Sequence, residues 1–159
     1  MSYDFVARRV PPGADARRAM EADAPDDGPA DDPTWEHMRR VADALEAAVP
    51  GCERWESPGR GVIDLDADRM QVSVGAHEVR VMVPYWTLGS GRDGVDRVDA
   101  FVAALVEQGY TVWDPQTEEI LDPRTAPRQA SDGYRSMAPA ALRALGDVPS
   151  PPRWKFWKR

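Results

Sequence analysis

Between Ile63 and Tyr85 apolar residues return at every second position. Ile63, Leu65 and Ala67 alternate with Asp64, Asp66 and Asp68. Val72 and Val74, then Val79, Val81 and Val83, alternate with other residues on either side of a Gly75-Ala76-His77 turn. A period of two puts these side chains on one face of a strand, and β-branched residues suit such a half-buried surface. The stretch therefore predicts an antiparallel meander with one apolar face that another layer must cover.

Two amphipathic segments can cover it. Trp35, Met38, Val41, Ala42, Leu45, Ala48 and Val49 recur at three- and four-residue steps, with Asp32 as N-cap, Pro33 in the first turn and Pro50-Gly51 as the stop. Val95, Val98, Phe101, Val102, Leu105 and Val106 form a second stripe that ends at Gly109. Ser2 to Arg8 reads as a first strand, and Glu53 to Ser57 as a short edge strand carrying Trp55. Tyr110–Asp114 and Glu118–Leu121 read as a closing strand pair around Asp114-Pro115-Gln116-Thr117. The expected fold is α+β, an antiparallel meander sheet with two main helices packed on one face. Residues 1–122 form the domain in this reading. They include a mobile acidic loop over 10–32 with a short helix near Ala14–Ala22. Residues 123–159 are expected to be a loop-rich extension, with a two-turn helix over Met137–Leu145 and a cationic aromatic end.

A net charge of −7 opposes binding to nucleic acid and to anionic lipid by the body as a whole, and suits a basic protein partner. The single Cys52 excludes an internal disulfide and a cysteine-only metal site. The opening Met1-Ser2-Tyr3-Asp4-Phe5 has neither the basic start nor the apolar run of a signal peptide, so a cytoplasmic location is expected.

Four motifs carry potential chemistry. Gly89-x-Gly91-x-x-Gly94 follows a strand, opens a helix and precedes a strand ending in Asp114, which resembles the nucleotide half of a Rossmann dehydrogenase. Pro84 and the intervening Trp86-Thr87-Leu88 break the immediate turn that this fingerprint needs. Asp93 and Asp96 would meet a negative ligand with negative charge. The plain reading is a strand-to-helix turn, with Trp86, Gly89, Gly91 and Gly94 as ligand-binding candidates. Asp64, Asp66 and Asp68 open like a calcium loop, but Arg69 stands where that loop requires glycine and Gly75 where it requires glutamate. No metal or other cofactor is expected, and these three carboxylates are read as an interaction face. His37 and His77 form no evident base–nucleophile arrangement with Cys52, Ser73 or Ser90, so no catalytic residue is assigned. Finally, Trp154, Phe156 and Trp157 interleave with Arg153, Lys155, Lys158 and Arg159 after Pro149-Ser150-Pro151-Pro152. The leading readings of such a segment are an ordinary disordered end or a fold back onto the acidic 21–36 stretch; it also suits a protein contact or weak contact with a membrane surface, which adds a peripheral position at the inner membrane to the expected locations.

The Tyr-Asp opening strand, the hairpin and Gly109-Tyr110-Thr111-Val112-Trp113-Asp114-Pro115-Gln116-Thr117 together resemble a loose group of small bacterial proteins without an assigned activity. The composition, rich in Ala, Arg and Asp, is similar to that of high-GC actinobacteria. The resemblance covers mainly residues 1–8 and 70–121. It implies a single α+β domain and a role in interaction, immunity-like in some members, and it transfers no catalytic residue. The leading expectation is thus a non-enzymatic protein-interaction domain. The alternatives are a nucleotide or small-molecule enzyme using the 89–94 loop, and a peripheral membrane adaptor docking by residues 153–159.

Overall fold

The computed structural model describes residues 2–25, 28–67, 70–85 and 92–144. Within them seven strands form one sheet. β1 (Ser2–Arg8) is followed in the chain by β2 (Glu53–Ser57), β3 (Val62–Ala67), β4 (Met70–Gly75), β5 (Glu78–Pro84), β6 (Thr111–Asp114) and β7 (Glu119–Ile120). In space the order is β2-β3-β4-β5-β1-β6-β7, and every pairing is antiparallel. The meander is therefore β2 to β5, and the first strand fits between it and the closing pair.

Because β5 and β6 both run antiparallel to β1, they are parallel to each other, one strand apart. Helix α3 (Arg92–Glu107) joins them as a split β-α-β unit. Gly94 lies in the first turn of this helix and is buried, and Gly109 (φ +80°) provides the left-handed residue beyond its end.

Register carries the alternation through the sheet. Leu65 faces Val72, Val72 faces Val81, and Val81 faces Phe5. These four, with Tyr3, Ile63, Val74, Val79 and Val83, are essentially inaccessible to solvent. Against them lies α2 (Asp32–Ala48), which buries Met38, Val41, Ala42 and Leu45. Its N-cap is Asp31, one residue earlier than expected, because the Asp31 side chain accepts from the Thr34 N–H at 2.9 Å.

The short helix expected near Ala14–Ala22 forms as α1 (Ala16–Glu21), capped by Asp15 and docked on the opposite face of the sheet. Arg8 Nη1 donates to the carbonyls of Ala19 (3.0 Å) and Ala22 (2.6 Å), and Met20 is buried. This part of the segment read as a mobile loop is thus held to β1. The correction to the sequence reading is α4 (Ala126–Ala144), a third long helix where helix was expected only from Met137 onward and loop before it. It buries Ala126, Ala130, Tyr134 and Ala138 at four-residue steps and packs along α3.

Candidate functional site: the open face of the sheet

Helices cover one face of the sheet, and α1 covers part of the other, over β1 and β6. The remaining surface is the outer face of β2 to β5. Pairing aligns its side chains in rows: Trp55, Asp64, Ser73 and Arg80 form one, and Glu53, Asp66, Gln71 and Met82 the next. The same register gives the other side of β2 to the helices. There Arg54 bridges Asp43 (2.6 Å), Glu46 (2.9 Å) and Glu56 (2.8 Å), while Arg39 holds Glu56 at 2.7 Å. The edge strand is thus clamped to α2 on one face and presents Trp55 on the other.

Trp55 is 50% exposed, and among the described residues only Met137 is another large apolar side chain exposed to a similar degree. It lines a hollow of about 240 Å³ with Asp64, Leu65, Asp66 and Gln71. That is below the roughly 300–1,000 Å³ of small-molecule sites. A second shallow hollow of about 380 Å³ continues across the face along Val62, Ser73, Gly75, Glu78, Arg80 and Met82. Asp64 accepts from Ser73 Oγ at 2.5 Å, which orients its carboxylate. Farther along, Glu78 receives Arg8 at 2.8 Å and Arg80 at 2.7 Å. Burial would raise the Glu78 carboxyl, but these two guanidinium groups outweigh it and hold it below the usual carboxylate range. The positive charge of this face is therefore drawn toward β5 and β1. The β2–β3 end carries Glu53, Asp64 and Asp66 around Trp55.

Of the residues singled out from sequence, Asp64 and Asp66 stand on this face, and Gly94 does not. Asp68, Trp86, Gly89, Gly91, Trp154, Phe156 and Trp157 lie outside the described residues. Among the described residues no group of three His, Cys, Asp or Glu side chains is placed to hold a metal ion. None of the described helices is long and apolar enough to cross a membrane. His37 Nε2 is 3.3 Å from the Tyr110 hydroxyl, and Cys52 Sγ donates to the Val49 carbonyl at 2.9 Å. His77 is exposed in the hairpin turn. The residue the sequence reading left out of the site is Trp55. Its signal was there: an aromatic at the position opposite Asp64 on a strand bounded by charges.

The two ends of the resemblance meet in the core. The Tyr3 hydroxyl, from the Tyr-Asp strand, donates to Asp114 Oδ2, from the Trp-Asp-Pro-Gln-Thr element, and both groups are buried. Asp114 Oδ1 accepts from the backbone N–H groups of Gln116 (2.9 Å) and Thr117 (3.3 Å). One carboxylate thereby closes the β6–β7 turn and anchors β1. Burial and the Asp114 hydrogen bond push the Tyr3 phenol far above its ordinary range. Tyr85 and Tyr134 pack edge-on to Tyr3, and the Tyr134 hydroxyl donates to the Pro84 carbonyl at 2.9 Å. This cluster joins β1, β5, β6 and α4, which explains its motifs as architecture. The chain matches no protein-family model, and no curated protein or solved structure is significantly similar to it.

Proposed function

We propose that the chain is a non-enzymatic protein-interaction domain whose open β2–β3 face receives a basic protein surface. The observation that carries this reading is Trp55, half exposed on a rigid edge strand and ringed by Glu53, Asp64 and Asp66. Tryptophan at the centre of a patch is the side chain most often found to dominate binding energy, and a rim of one charge selects the partner and speeds encounter. The hollows on this face are shallow, which favours a protein surface over a small substrate. The immunity-like role implied by the resemblance, covering a basic target, would use the face in the same way.

The test is affinity capture from the chain's own host, followed by native mass spectrometry, with the unaltered chain, Trp55→Ala and Asp64→Asn/Asp66→Asn in parallel. A basic polypeptide should be captured by the unaltered chain and released by raised salt. Trp55→Ala should weaken its binding by roughly 30-fold, the loss of a hot-spot side chain. A partner held equally well by all three proteins would refute this face as the site.

A further inference from the structure

We infer that β2 of one molecule pairs with β2 of a second copy, antiparallel and centred on Trp55, so that the chain self-associates as a two-fold dimer with one continuous sheet. The inference goes beyond the interaction reading and does not rest on it. It concerns the backbone edge of β2, whereas a basic partner would meet the side chains of the open face.

β2 ends the sheet order, and among the described residues no backbone hydrogen bond runs outward from Glu53–Ser57. Such an edge is a template for another strand, which main-chain hydrogen bonds hold and side chains select. The two ends of the sheet differ in this respect. β7 has only Glu119 and Ile120, and shortness alone blunts an edge. β2 has five residues. Ion pairs of Arg54 with Asp43 and Glu46, and of Arg39 with Glu56, already hold it to α2, so little ordering is left to be done on pairing.

The charges on β2 name the occupant. The strand reads Glu53-Arg54-Trp55-Glu56-Ser57. A two-fold axis through an antiparallel pair sets one residue against itself, and side chains directly opposite share a face. With the axis at Trp55, Arg54 stands opposite Glu56 of the second copy on the helix face, and Glu56 opposite its Arg54. Arg54 and Glu56 also touch within one chain at 2.8 Å, so the two copies close a ring of alternating charges. On the open face Trp55 meets Trp55, and Glu53 meets Ser57. Moving the axis by one residue sets Arg54 against Arg54, or Glu56 against Glu56. Opposite charges and paired aromatics stabilise a cross-strand pair, while like charges directly opposite destabilise it. The charges that repel a misaligned strand therefore select this one, and the complementarity is of β2 to itself, as an isologous interface requires.

The axis stands perpendicular to the sheet, so both helix layers lie on one side and both open faces on the other. The two Trp55 rings then stand side by side at the centre of a doubled face, flanked by Glu53, Asp64 and Asp66 of each copy.

Analytical ultracentrifugation of the chain alone, from micromolar to millimolar concentration, should show a reversible monomer–dimer equilibrium. Arg54→Glu and Glu56→Arg should each weaken self-association about tenfold by setting like charges opposite one another, and a mixture of the two variants should recover it as a heterodimer. A chain that stays monomeric throughout would overturn the inference. Because both variants also disturb the contacts to α2, cysteine cross-linking in a Cys52→Ala background reads the register with the charges intact. Under mild oxidation Trp55→Cys should link to itself. Glu53→Cys and Ser57→Cys should each stay unlinked alone and link to each other when mixed, since only directly opposite positions come within disulfide reach. Failure of Trp55→Cys to link, or self-linking at 53 or 57 as readily as at 55, would overturn the register. Neither readout involves a partner. A monomeric chain that still captures a basic polypeptide through Trp55 removes the dimer and leaves the interaction reading standing, and a dimer that captures none does the reverse.

Discussion

Gly133 should be irreplaceable for a reason found three elements away. It sits inside α4, where alanine normally stabilises by roughly 0.5–1 kcal/mol because it gives up less backbone freedom. A Cβ at this position would stand 2.6 Å from the Tyr3 hydroxyl and 3.2 Å from Asp114 Oδ2. Neither neighbour is the loose end of a flexible chain, since each is buried and bonded to the other. Overpacking costs about 1–3 kcal/mol, and a hydrogen bond to a charged group contributes about 1.5–3 kcal/mol, part of which is lost if Tyr3 moves. Gly133→Ala should therefore destabilise by about 2–3 kcal/mol net of its helix gain. Tyr3→Phe alone removes the hydrogen bond and leaves a buried carboxylate oxygen short of a donor, at a cost of about 1–3 kcal/mol. It also removes the clash, because the next Tyr3 atom lies at an ordinary 3.6 Å. In the Tyr3→Phe background Gly133→Ala should thus cost at least 1 kcal/mol less than in the parent chain, a coupling readable from a double-mutant cycle by urea denaturation. Additive effects, or a Gly133→Ala chain more stable than its parent, would refute the placement of α4 over the Tyr3–Asp114 pair.

Two pH effects follow from the charges. The folded-state Glu78 carboxyl titrates below its ordinary value of 4.5, so its stabilisation is complete above that value and is lost as the pH falls through the folded value. Glu78→Gln should flatten the acid limb of a stability–pH curve and lower stability at pH 7. The His37 imidazole is held below 6.5 by burial and by Arg9 and Arg40. The stability it contributes is full above 6.5 and falls as the medium acidifies, so His37→Gln should remove part of the slope just below 6.5; an unchanged slope would contradict this. Tyr110→Phe should leave that slope in place, since burial and the two arginines, rather than the Tyr110 hydroxyl, cause the shift.

Alternation and stripe spacing were enough to specify β3, β4 and β5, the apolar faces of α2 and α3, and hence an α+β domain with an antiparallel sheet. Those are local patterns, and local sterics and burial act through them directly. The closing pair was legible too, from Asp-Pro-Gln-Thr, although nothing in that string says that Asp114 also receives the Tyr3 hydroxyl. Only the end of α4, from Met137, was legible, because its buried stripe is mostly alanine, which contrasts little with a surface, and because Pro127, Gly133 and Pro139 are breakers in sequence. Its stability comes from packing on α3 and over Tyr3, and one of those apparent breakers is the residue that lets it approach. Two decisions belonged to the tertiary structure alone. One was the insertion of β1 between β5 and β6, a choice among long-range pairings that no local spacing encodes. The other was the side of β2 on which Trp55 stands. That side follows from the Arg54 and Glu56 contacts to α2, and it determines that the aromatic ring meets Asp64 and Asp66 on the open face.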